Sequence, residues 1–148
     1  MLASMFSPLS GLWQLPIRLI VGVILAMHGY QKFFSPDGIN GVVGMFTKWG
    51  IVMPDITAPL VATVELVGGI CLVLGLFTRY WALMLAITMI VAIGAVKMPL
   101  LTQSIPFPEI WKFATSELEL SLLAGCLALL LAGSGVASLE KMLFKKEL

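Results

Sequence analysis

Histidine occurs once in this 148-residue chain and cysteine twice. A single histidine, His28, cannot supply both axial ligands of a bis-histidine haem, and there is no Cys-x-x-Cys-His attachment site. Cys71 and Cys126 lack the Cys-x-x-Cys spacing of a redox dithiol. They read as small buried hydrophobes, with a membrane dithiol as the alternative. No Gly-rich phosphate loop, nucleophile elbow or carboxylate–histidine metal motif is present. The nine methionines are scattered, as gap-filling side chains would be, so copper is not indicated. No metal and no covalently bound cofactor is expected, and any redox role would depend on a partner that carries the electrons. Charge is scarce too: 11% of residues are Asp, Glu, Lys or Arg, against about 25% in soluble domains. The net charge of +1 gives no basis for a nucleic-acid partner.

What fills the chain instead is hydrocarbon, at 59% hydrophobic residues. Too little polar surface remains to cover a globule in water, which predicts an integral membrane protein in contact with the lipid bilayer. A helix needs about 20 predominantly apolar residues to cross. Four stretches qualify, at about 13–33, 58–76, 80–96 and 115–132. The expected fold is therefore all-α: four transmembrane helices in a compact bundle, one unit over 1–148. The first stretch contains Arg18 and His28 and no basic residue precedes it, so it reads as a retained helix and not a secretion signal. The second and third are joined by little more than Phe77-Thr78-Arg79 and form an antiparallel hairpin, with Gly75 suited to a C-terminal cap. Between the first two, Ile39, Val42, Val43, Phe46 and Trp49 fall at helical spacing after Asp37, a candidate cap. This segment reads as a short amphipathic helix at the membrane interface. The proline-containing loop from Met98 to Lys112 reads as irregular, and Lys145 and Lys146 as a basic juxtamembrane tail. Counting basic residues on the two sides leans toward both termini in the cytoplasm.

Few charges fall within the spans, and their depth is informative. A lone glutamate, Glu65, sits inside the second span, at a cost of roughly 3 kcal/mol even on lenient insertion scales. At about 1.5 Å per residue it lies roughly 10 Å in from the side opposite the termini. Lys32, Lys97, Glu117 and Glu119 lie nearer that side, and His28 slightly deeper. His28 and Lys32 are one turn apart, on one face. Gly22 and Gly29 share the sector of the first helix that carries Arg18 and Lys32. Glu65 shares its stripe with Gly68, Gly69 and Gly75, and Glu117 shares its stripe with Ser121, Ala124, Gly125 and Ala128. Small residues let helices approach, so Glu65 and Glu117 should face the bundle interior. Glu119, about 200° from Glu117 at ~100° per residue, is not assigned to that face. His28, Lys32, Glu65 and Glu117 are thus the candidate ligand-binding residues; Arg18, Arg79 and Lys97 are candidate ion pairs or anchors. Each also has a plainer reading. Glu65 could lock helices through Arg18 or His28, and His28 could make an interhelical hydrogen bond. Arg18 and Arg79 could snorkel to the headgroups, and the glutamates of the fourth stretch could sit at a helix N-terminus.

The ordered set resembles the DoxX family of small membrane proteins. It comprises Arg18-Leu-x-x-Gly22, His28-Gly29-x-Gln31-Lys32-Phe33, Gly50 with Pro54, Glu65-Leu-Val-Gly68-Gly69, Leu74-Gly75-Leu-x-Thr78-Arg79, Glu117, and Gly133-Ser-Gly135-x-x-Ser138-Leu-Glu140. The match runs over about 16–140. The resemblance implies a four-helix bundle of the bacterial inner membrane, associated with quinone-linked oxidoreductase assemblies. Two departures stand out. Lys97 stands where the third helix of the family often ends in histidine, so a two-histidine site does not carry over. Gly133-Ser134-Gly135-Val136 with Glu140 replaces a closing Gly-Pro-Gly-Arg with aspartate. The resulting expectation is an accessory or quinone-binding subunit whose half-buried charged site lies between the first, second and fourth spans. A redox partner protein and a homo-oligomer both stay open as assemblies. A non-enzymatic scaffold is the alternative, and a small-solute or ion carrier a more distant one.

Overall fold

A computed structural model describes residues 12–102 and 117–144, with side chains omitted for 96–102. The described residues form six helices: α1 Gln14–Phe34, α2 Gly38–Lys48, α3 Pro54–Leu74, α4 Thr78–Thr102, α5 Glu117–Ala132 and α6 Leu139–Phe144. No strand occurs among them.

The ends of these helices follow from local chemistry. Pro36 forces the residue before it out of helical conformation, so α1 stops at Ser35, whose ψ is 162°. Asp37 takes the cap position of α2, but its carboxylate makes no capping hydrogen bond, contrary to expectation. α3 begins one turn earlier than the apolar run, because Pro54 is preorganised for the first helical position. It ends at Gly75 (φ 70°), where the Leu76 N–H bonds Cys71 O at 2.9 Å and the Gly75 N–H bonds Leu72 O at 3.1 Å. This paired closure needs a left-handed residue, which glycine adopts without strain. α4 continues past the expected end, through Lys97 to Thr102.

α1 and α3 form the tightest pair. A Cβ on Gly22 would stand 2.7 Å from the Gly69 carbonyl oxygen, and one on Gly69 2.5 Å from the Ala26 nitrogen. The backbones touch because neither residue has a side chain there. α4 and α5 pack through larger apolar groups. Leu85, Met89, Leu122, Cys126 and Leu129 join Val21, Leu25, Val64 and Leu72 in the main core. A smaller cluster of Val42, Phe46 and Ala58 seats α2 on the start of α3.

Among the described residues three helical segments are long and apolar enough to cross a membrane: Gln14–Phe34, Pro54–Leu74 and Thr78–Ala95. α5 has 16 residues, about 24 Å at 1.5 Å per residue, against a hydrocarbon core of about 30 Å. The expected fourth span is therefore shorter in its described part than a full crossing.

Candidate functional site

Because α1 and α3 lie backbone to backbone at Gly29 and Leu66, the next turn of α1 stands over the middle of α3. Lys32 and Glu65 meet there, Nζ to Oε2 at 2.5 Å. The Glu65 side chain is 3% exposed and that of Lys32 24%. Glu65 thus has a cationic partner from the first helix, and that partner is Lys32, not Arg18 or His28. His28, one turn before Lys32, is half-buried and has no hydrogen-bond partner among the described residues.

The pair borders a cavity of about 390 Å³. His28, Lys32, Glu65 and Glu119 supply its charged and titratable groups. The remaining walls are mainly apolar, among them Phe46 and Trp49 from α2, Val64 from α3 and Met89 from α4. One carboxylate oxygen of Glu119 is buried without a partner among the described residues. Glu117, placed in the site from sequence, is exposed instead. The reason is the seam that α5 buries. Leu122, Cys126 and Leu129 repeat every three to four residues and pack inward, and Glu119 continues that series one turn earlier. The small-residue stripe beside Glu117 is largely outside this seam: Ser121 and Ala124 are exposed. Only Gly125 marks a close approach, to Val21 of α1.

Arg18 departs furthest from expectation. It does not reach the headgroups but is 2% exposed. Its Nε donates to Leu72 O at 3.1 Å, its Nη2 to Val73 O at 3.3 Å, and its Nη1 to Ser134 O. The first two acceptors are carbonyls of the last turn of α3, beyond its regular ladder of hydrogen bonds; Leu72 O also accepts the Gly75 N–H. Gly75 leaves room for the guanidinium, since a Cβ there would lie 2.7 Å from Nη1. Glu140, 1% exposed, closes the same knot. Its N–H donates to Gly75 O at 3.1 Å and its Oε2 accepts from the Thr78 N–H at 3.4 Å. Arg79 is exposed at the start of α4. The side chain of Lys97, the loop before Glu117 and the tail lysines lie outside the described residues. Cys71 and Cys126 are free thiols. No cluster of three or more His, Cys, Asp or Glu side chains able to hold a metal ion occurs among the described residues.

Comparison with known proteins places this arrangement. The DoxX family model matches residues 13–98. The chain belongs to the DoxX family. It is 36% identical over 133 residues to "Uncharacterized membrane protein Rv3486" of Mycobacterium tuberculosis, covering 88% of this chain and 80% of that one. It is 33% identical over 129 residues to "Putative oxidoreductase CatD" of Bacillus subtilis, covering 87% and 85%. No solved structure matches it. The DoxX match takes in Arg18, His28, Lys32 and Glu65, whereas Glu119, Ser134 and Glu140 lie beyond it.

Proposed function

We propose that this DoxX protein is an inner-membrane subunit that binds a quinone for a membrane-associated oxidoreductase, with α5 as a fourth span, α2 at the interface and both termini in the cytoplasm. One observation carries the reading: a half-buried Lys32–Glu65 pair, and a His28 with no hydrogen-bond partner among the described residues, stand at the edge of a mainly apolar cavity. A quinone ring needs hydrogen-bond donors at its two carbonyls and apolar walls around the rest. Lys32 and His28 can supply the donors. Reduction to the quinol takes two electrons and two protons. A redox partner would supply the electrons, and the ionisable groups of the cavity could pass the protons. The name given to the Bacillus subtilis relative agrees with an oxidoreductase setting.

The test is mild purification followed by organic extraction and quinone analysis. Wild type should carry quinone. Lys32→Met/Glu65→Leu removes both charges together, which buried pairs often tolerate, and should fold but lose the quinone. A well-folded wild type without extractable quinone, and unable to take up added quinone, would refute the site and leave a membrane scaffold as the reading.

A further inference from the structure

The cavity is closed on one side by charge and open on another to hydrocarbon. α3 and α4 touch near their connecting turn, where a Cβ on Gly68 would lie 2.9 Å from the Trp81 ring and 3.2 Å from Leu85 Cδ1. Both helices line the cavity, α3 through Leu60 and Val61, α4 through Met84, Ile87 and Val91. Phe46 and Trp49 of α2 line the same space.

Four of these lining residues also face outward. Leu60 is 56% exposed, Met84 44%, Ile87 48% and Val91 46%. A side chain that lines a cavity and is also exposed stands at its opening. Both helices that frame the opening have the length and apolarity of membrane spans, so what lies outside it is lipid. His28, Lys32, Glu65 and Glu119 come from α1, α3 and α5; none of the charged lining groups comes from α4. The volume supports the same orientation. Ligand sites run from about 300 to 1,000 Å³, and about 390 Å³ accommodates a substituted ring and the first carbons of a tail. The rest of a long tail must lie outside.

We propose that the cavity fills sideways from the bilayer, through the slot between α3 and α4. Its ligand is a head-and-tail amphiphile whose polar ring lies at Lys32, Glu65 and His28 and whose hydrocarbon tail leaves past Leu60 and Ile87. The proposal rests on the quinone reading and adds the route and the direction of the tail.

The full chain in lipid nanodiscs, free of native quinone, is illuminated with a decyl-tailed benzoquinone bearing a diazirine at the end of its tail. Adducts are mapped by mass spectrometry, with and without a tail-less benzoquinone of the same ring. The expected result is labelling of Leu60, Met84, Ile87 or Val91 that falls about tenfold under saturating competitor. A separate apolar groove between α1 and α3, lined by Val23, Met27 and Ile70, is the internal control. Competed labelling at that groove instead of the slot overturns the lateral route while leaving the quinone site standing. Labelling that no competitor reduces, at either place, overturns the quinone site and the route together.

Discussion

Two lone charges, Arg18 and Glu65, look alike in the sequence: each is an ionisable residue within an apolar helix. The structure gives them opposite surroundings. Around Arg18 all three guanidinium nitrogens donate to backbone carbonyls. Serine hydroxyls close the neighbouring loop, with Ser138 Oγ donating to Gly135 O at 3.0 Å and lying 3.1 Å from Ser134 Oγ, whose hydroxyl can donate to it. The charge at that end is spent within the protein, although Gln14 Oε1 and Thr78 Oγ1 beside it are buried with no partner among the described residues. Around Glu65 one ion pair is made, and beside it His28 and a Glu119 oxygen have no hydrogen-bond partner among the described residues at a cavity. Buried polar groups are normally satisfied. A saturated charge is therefore read as architecture, and a partly saturated one beside empty space as capacity for a ligand.

The largest effect expected from breaking this contrast is at Arg18. Arg18→Ala removes the side-chain donor from the buried Ser134 carbonyl and the part-buried Val73 carbonyl, at about 1–3 kcal/mol each, and leaves Leu72 O with the Gly75 N–H alone; it should prevent stable purification or lower the melting temperature more than any change at the cavity. Arg18→Lys should rescue little, since an ammonium cannot replace a planar fork of donors. Purified Arg18→Ala melting as wild type does would contradict the structural role.

Next in size is the pair. Glu65→Gln leaves Lys32 half-buried and unpaired, a loss bounded by about 3–5 kcal/mol for breaking a fully buried pair. Removing both charges as Lys32→Met/Glu65→Leu should restore most of that. Thermal melts in one detergent decide it: a double variant no more stable than Glu65→Gln would mean the pair is not an independent unit.

The smallest effect on stability, and the most selective on binding, is expected at α5. Glu119→Gln should change stability by less than about 1 kcal/mol, because its buried Oε2 makes no hydrogen bond to a described residue, yet weaken quinone retention. Glu117→Gln should do neither. Equal quinone content in the two variants would remove Glu119 from the site.

How much of this was legible in the sequence follows from the same contrast. Apolar length gave α1, α3 and α4, and the short link between the last two gave their hairpin. Glycine spacing on α1 and α3 indicated a close approach, and a buried glutamate implied a cationic neighbour from α1. The identity of that neighbour depended on register, which Gly29 against Leu66 sets and hydropathy does not. The Arg18 knot left no trace because its acceptors are main-chain carbonyls, which every residue possesses. The small residues beside Glu117 point to the exposed glutamate, whereas the Leu122–Cys126–Leu129 seam, equally present in the sequence, selects Glu119. Asp55 interrupts the apolar run at the start of α3, so the extra turn from Pro54 was invisible to a count of hydrophobic residues.

The bond from Arg18 to Ser134 spans 116 positions of the chain, and it sets an order of events during synthesis. When the first helix leaves the ribosome its guanidinium has no permanent acceptors, and those on α3 arrive before the one at Ser134. α1 is thus fastened in part by a segment that follows α5, so this knot closes only after α2 to α5 have been made.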